Sequence, residues 1–456
     1  MASEEMLEAF VDAAPAMVNF LGAASPVRLY ALDRPDYHPD WPGGKTGGRT
    51  LDNEPFDSRI LGEFASQVRS GPHFPPLTYR ERKQWGSPEQ FDWTLIADRI
   101  AAGVRTLGGA LVAALMKGCL DKGVRFASGV RARRLLRDGD AVKGVDVERG
   151  GRRESFRARR GVVLACGGFE WNEAMKRHFL RGPEQGPSSP PWNQGDGIIM
   201  GMEVGAALGN MTEAWWVPVI QIPGEEYDGH PLFRYLVDER CRPGAILVNR
   251  AGRRFANEST NYNDLGKAFH TFDPSSYQFA NLPAFLIFDH RYKRRYPIST
   301  VFPTEAAPAW IGRADTLSDL GRALGIDPDQ LCATVEEFSK GAREGQDPLF
   351  HRGETANDRY YGDPTHQPNP CLGPIDIPPF YGLKVQIGCL GTKGGLLTNG
   401  NAEVLHVSGG IIPGLYACGN VMASAMGAGY PGAGGTLGPA LTFGYLAGRS
   451  AAEPPK

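Results

Sequence analysis

The feature that most limits what this chain can fold into lies near its C-terminus. It reads GLYACGNVMASAMGAGYPGAGGTLGPALTFGYLAG, Gly414–Gly448. A short apolar strand, Leu415–Ala417, runs into Gly419-Asn420. A long glycine-rich loop follows, and then a helix that starts near Thr436–Pro439. Glycine adopts backbone conformations closed to other residues and leaves its N–H groups accessible to a ligand. The start of a helix behind such a loop presents partial positive charge. Together these predict a cradle for a flat ring that becomes anionic when reduced.

Two weaker signals fit the same use. ACGG, Ala165–Gly168, ends a short apolar run, GVVLAC, which reads as a strand buried on both faces. Small residues at a strand's end let a ligand approach the backbone. GDGI, Gly195–Ile198, opens a helix and offers Asp196 to a hydroxyl or ring N–H. Alone, the first is equally a glycine turn and the second equally an aspartate N-cap.

The rest of the chain reads as mixed α and β structure. Helices are predicted at Glu4–Leu21 and Leu107–Leu120, and strands at Val124–Phe126, Val142–Val147 and Ser155–Ala158, the last two joined by a turn at Gly150-Gly151. A helix pair is expected after Thr316 and after Asp327-Pro328, with Leu317, Leu320 and Leu324, then Leu331, Val335 and Phe338, on the apolar faces. The Pro-rich segment Asp347–Pro379 is expected to wrap a surface.

A formal charge of -2 gives no electrostatic case for nucleic acid or an anionic membrane. The seven cysteines are scattered with no CxxC pair, and no histidines stand at metal-ligand spacing. This argues against a disulfide framework or a metal site and suits a reducing cytoplasm. The acidic N-terminus lacks the marks of a signal peptide. No apolar run is read as approaching the roughly 20 residues that span a bilayer.

Taken in order, PDYHPDWPGG, ACGGFEWN, GDGIIMG, ILVNRAGRRFANES, GTKGGLLT and the C-terminal glycine loop resemble the fumarate reductase/succinate dehydrogenase flavoprotein superfamily. Within it they are most similar to the FAD-dependent 3-ketosteroid Δ1-dehydrogenases. The carboxylate-reducing branch carries an arginine, a histidine and a further arginine where this chain has Tyr262, Gly391 and Tyr430. A buried dicarboxylate without those partners is disfavoured, whereas a neutral ketone is compatible.

The resemblance implies FAD as cofactor, held by Val130, Ala165, Gly167, Asp196, Gly419, Asn420, Gly435, Thr436 and Leu437. It implies that Tyr430 and the Gly434 N–H polarise the ketone oxygen, that Tyr262 takes the adjacent proton, and that Tyr37 supports that base. Hydride then passes to the flavin, which a separate acceptor reoxidises. Lys393 in GTKGG reads either as a cation of the site or as a solvated lysine.

The implied fold is α/β, with a discontinuous Rossmann-like FAD-binding domain at 1–214 and 386–456 and an inserted α+β catalytic domain at 215–385. The superfamily opens with a GxGxxG turn in a first βαβ unit, and no such motif stands near the start of this chain. Two other readings therefore stay open: a flavin-linked enzyme for another cyclic or α,β-unsaturated ketone, and an inactive fragment lacking the nucleotide-binding unit.

Overall fold

The computed structural model describes residues 3–453. Residues 1–2 and 454–456, with which the first and last expected domain segments begin and end, lie outside the described residues. Helix α1 (Glu4–Ala24) packs on the last helix of the chain, with the Phe20 and Tyr445 rings 5.3 Å apart. Contrary to the expectation from sequence, it is long and apolar enough to cross a bilayer, with mean hydropathy 1.2 over its most apolar stretch. Its carboxylates at Glu4, Glu5, Glu8 and Asp12 fall in the N-terminal half, and Glu5 accepts a bond from the Gly400 N–H at 3.1 Å.

Helix α2 (Leu107–Asp121) buries Leu111, Ala113 and Ala114. The strand predicted at Val124–Phe126 does not form. Gly123, at φ 74°, turns the chain into an exposed segment with no neighbour to pair with. An antiparallel meander follows: β1 (Arg131–Asp138), β2 (Ala141–Arg149) and β3 (Arg152–Arg157), with Gly150 and Gly151 both at positive φ in the last turn. Strand β4 (Val162–Leu164) is shorter than GVVLAC suggested, and Val163 is 41% exposed. The sequence reading of burial on both faces is corrected here, because the face of β4 that carries Val163 is open to solvent while Leu164 on the other face is buried. Helix α3 (Asp196–Glu203) begins at the predicted GDGI turn.

A seven-stranded sheet forms the largest layer. Its main path is β5 (Ala214–Tyr227), β6 (His230–Tyr235), β7 (Ala245–Asn249), β8 (Ala284–Phe288) and β9 (Phe380–Thr392), in spatial order β6-β5-β9-β8-β7 with antiparallel neighbours. Between its strands lie α4 (Tyr262–Phe269) and the predicted helix pair, α5 (Leu317–Leu324) and α6 (Pro328–Arg343). Thr316 and Asp327 cap the pair as expected. Leu320, Leu331, Val335 and Phe338 pack on Ile246, Val248, Phe285 and Ile287. The segment 347–379 does more than wrap a surface, since Arg352, Asn357 and Asp358 within it are buried.

The last stretch returns to β4. Strand β10 (Glu403–Leu405) pairs with β11 (Ile411–Ala417), and β11 runs parallel to β4 with Leu415, Tyr416 and Ala417 opposite Val162, Val163 and Leu164. Helix α7 (Leu437–Ala452) closes the described chain.

Candidate active site

The parallel pair β4 and β11 ends at one edge, and three glycine-bearing turns gather there. Ala165–Gly167 leaves β4, Gly419-Asn420 leaves β11, and α3 starts between them. The Cys418 N–H donates to the Leu164 carbonyl at 3.0 Å. Gly167 lies at φ 81° and Gly419 at φ 70°. A side chain at Gly197 would collide with the Cys166 sulfur and Val421, so close packing of α3 on this edge needs glycine there. Arg131, next to Val130, holds Asp196 in a bidentate pair at 2.7 and 2.8 Å. The Asn420 side chain accepts from the Trp215 indole at 3.1 Å. Thr436 and Leu437 begin α7.

Most of this edge is open. Ala165, Leu437 and Gly434 are exposed, and nothing lies near the position a side chain at Gly434 would occupy. Ligands of α/β folds bind at such carboxyl ends of parallel strands. The described residues therefore fit the ring end of a flat cofactor, with the start of α7 supplying positive polarity.

Beside this cradle the structure brings together three tyrosines far apart in sequence. The Tyr37 hydroxyl donates to that of Tyr262 at 2.8 Å, Tyr262 donates to Tyr430 at 3.1 Å, and Tyr430 meets the Thr436 hydroxyl at 3.3 Å. Their ring centroids lie 5.1–5.5 Å apart, edge to face. Each side chain is held for a local reason. Tyr37 sits on an irregular loop tied to the glycine loop by its own N–H to the Pro431 carbonyl, at 2.9 Å. Tyr262 is the first residue of α4, whose start Asn261 caps through the Asp264 N–H. The Tyr430 ring lies against Gly435, where any side chain would come within 2.8 Å of it. The Gly434 N–H has no partner among the described residues.

All three phenols are buried, and burial pushes each upward from the ordinary tyrosine value, Tyr37 and Tyr262 well above it. Neutral, mutually hydrogen-bonded phenols are the resting state.

Lys393 is not solvated. It is fully buried, its Nζ lies 4.3 Å from the centre of the Trp215 ring, and it donates to the carbonyls of Ala428 and Gly429 at 3.1 and 2.8 Å. It thus braces the loop just before Tyr430. Desolvation, with nearby Lys267, draws its ammonium down to about 7. The sequence reading also passed over Arg34, Tyr361 and Trp215. Only for Arg34 was there a signal, its place three residues before Tyr37.

A glycine cradle at the ends of parallel strands, flanked by buried phenols, defines an oxidoreductase site for a flat redox cofactor. The chain belongs to the FAD binding domain family, which matches residues 1–437. It is an FAD-dependent dehydrogenase of mixed α/β fold within the fumarate reductase/succinate dehydrogenase superfamily.

Among its relatives, 4-oxocyclohexanecarboxylate 2-dehydrogenase of Sinomonas cyclohexanicum is 42% identical, aligned over 99% of this chain and 79% of that one. A 3-oxosteroid 1-dehydrogenase of Mycobacterium tuberculosis is 38% identical over 97% and 83%. The crystal structure of 3-ketosteroid Δ1-dehydrogenase from Sterolibacterium denitrificans with 1,4-androstadiene-3,17-dione superposes with TM-score 0.92 at 36% identity, covering 99% and 86%.

Proposed function

We propose that this chain desaturates a ring ketone by the chemistry of 3-ketosteroid 1,2-dehydrogenation. The observation that carries the reading is the hydrogen-bonded set Tyr37, Tyr262 and Tyr430 beside the glycine cradle. The ketone oxygen sits between the Tyr430 hydroxyl and the free Gly434 N–H. As negative charge develops on that oxygen these donors stabilise it, which acidifies the adjacent C–H. Tyr262 takes that proton, and Tyr37, hydrogen-bonded to the Tyr262 hydroxyl, supports that base. FAD, when bound, supplies the hydride acceptor for the neighbouring carbon and is reoxidised by a separate electron acceptor. Steroid 3-ketones are the substrate class carried by the M. tuberculosis and S. denitrificans relatives.

In this reading Val130, Ala165, Gly167, Asp196, Gly419, Asn420, Gly435, Thr436 and Leu437 contact FAD. Thr436 also bonds Tyr430, so it couples the cofactor side of the site to the ketone side. The FAD unit is discontinuous and Rossmann-like, with the sheet-bearing catalytic unit inserted at 215–385. Strand β9 runs across the boundary near 385 and ties the two together. The scattered free cysteines suit a cytoplasmic enzyme.

The test is spectroscopic. The purified chain is incubated with excess FAD, free cofactor is removed, and a 3-ketosteroid is added anaerobically. A retained, perturbed flavin spectrum that bleaches on addition supports the reading. A retained flavin that no ring ketone bleaches defeats it.

A further inference from the structure

Arg34 is a buried charge without a counter-charge. It is 7% exposed. Its one hydrogen bond to a described side chain runs from Nη2 to the Tyr361 hydroxyl, and its Nε is buried with no partner. The rings of Tyr79, Tyr361 and Tyr360 surround the guanidinium at 5.2, 5.5 and 5.7 Å. No carboxylate among the described residues lies within ion-pair distance. Asp238, whose carboxyl feels the charge of Arg34, is already engaged by Arg82, and Asp33, next to Arg34 in sequence, is engaged by Lys83 at 3.1 Å.

Other deeply buried arginines hold more partners, although Arg240 too keeps one buried nitrogen without a partner and has no carboxylate. Arg254 holds Glu258 and Asp347, Arg352 holds Glu258 and two backbone carbonyls, and Arg240 holds three backbone carbonyls. A guanidinium withdrawn from water with one phenol as hydrogen-bond partner is costly unless an anion joins it.

The position of Arg34 says where that anion would come from. It stands on the loop that carries Tyr37, and a second tether fixes this loop to the glycine loop, the Thr50 hydroxyl to the Ala433 carbonyl at 3.2 Å. The charge of Arg34 is felt by both Tyr37 and Tyr430. The cation therefore belongs to the wall of the tyrosine site. Its Nε–H has no partner among the described residues and is a charge-assisted donor of the kind a carboxylate oxygen accepts.

We propose that Arg34 recognises a carboxylate carried by the ring-ketone substrate, close to the reacting ring. This rests on the ketone-desaturation reading above and adds to it an anionic substituent. It would favour a carboxylated cyclohexanone over a neutral steroid dione.

The experiment uses the full chain loaded with FAD and compares 4-oxocyclohexanecarboxylate, its methyl ester and 4-androstene-3,17-dione by the rate of anaerobic flavin bleaching. The expected result is at least a tenfold higher kcat/KM for the acid than for the ester. Arg34→Met removes that advantage through KM, and Arg34→Lys restores part of it. In parallel, cyclohexanecarboxylate, which has no ketone to react, raises the Tm of the wild-type chain and not of Arg34→Met.

Equal rates for acid and ester in the wild type overturn the proposal without any variant. So does an Arg34→Met variant slowed equally on all three substrates, which would assign the cation to the phenols alone. If no ketone bleaches the flavin, the desaturation reading falls. The cyclohexanecarboxylate shift then still decides whether Arg34 binds a carboxylate.

Discussion

The hydroxyls of Tyr37 and Tyr262 lie 2.8 Å apart although 225 positions separate them in the chain. The bond joins an irregular loop to the first residue of α4, beside the glycine-bearing edge of β4 and β11. If Tyr262 is the base, a Tyr262→Phe enzyme keeps its flavin spectrum and loses flavin reduction by substrate by about 10²–10⁴-fold. Tyr37→Phe removes one donor and leaves the base in place, so its loss is smaller, about 10–100-fold. Stopped-flow reduction of the bound flavin separates the two. Unchanged reduction by the Tyr262 variant removes that residue from the mechanism.

The pH profile follows from burial. A base must be deprotonated to act, and burial raises Tyr262 well above the tyrosine norm. The deprotonated fraction therefore grows with pH through the whole working range. The rate of flavin reduction is expected to rise with pH and to show no plateau below about 10, the ordinary tyrosine value. A plateau at neutral pH would show that another group, or the bound cofactor, sets the ionisation.

Lys393 gives a prediction about stability. Its folded ammonium titrates near 7, below the value of about 10.4 for an unfolded lysine. Between these values the unfolded chain binds more protons, so stability rises with pH across that window. From pH 7 to pH 9 this group contributes a gain of about 2 kcal/mol. Urea unfolding of wild type and Lys393→Met at both pH values measures it, and the gain should shrink by that amount in the variant. An identical pH dependence in both would show that the two carbonyls and the Trp215 face keep the lysine charged in the fold.

Some of this was legible in the sequence, for physical reasons. The glycine run could be read because tight turns and close backbone approaches leave few residue types acceptable. Gly197 and Gly435 show this directly, since a side chain at either would strike its neighbours. Caps at Thr316 and Asp327 were legible because a cap is local. That Tyr37, Tyr262 and Tyr430 would share one cluster could be expected only from the family resemblance, since no local rule joins positions so far apart. The burial of Lys393 and of Arg34 was not legible. It depends on Trp215, on the carbonyls of residues 428 and 429, and on Tyr361, all remote in sequence. The exposure of Val163 was missed for the converse reason. An apolar run reads as buried whether or not anything packs over both of its faces.

The last prediction concerns the segment RFANES, whose arginine holds structure and not substrate. Arg254 bonds both oxygens of Glu258 at 2.7 Å and both of Asp347 at 2.9 and 2.7 Å, and all three side chains are buried. The pairing joins the stretch ahead of α4 to the end of α6. Arg352, also fully buried, shares Glu258 at 3.2 Å. Removing Arg254 leaves two carboxylates in the interior with one cation between them. Arg254→Met is therefore expected to destabilise the chain by about 3–5 kcal/mol. Because α4 carries Tyr262 at its first position, lowered activity should accompany this loss and be recovered at low temperature. Thermal and urea unfolding of the variant, with flavin reduction followed at 10 and 30 °C, tests both parts. A variant of native stability would mean that the interior acids are neutralised by protonation and that the cation is dispensable.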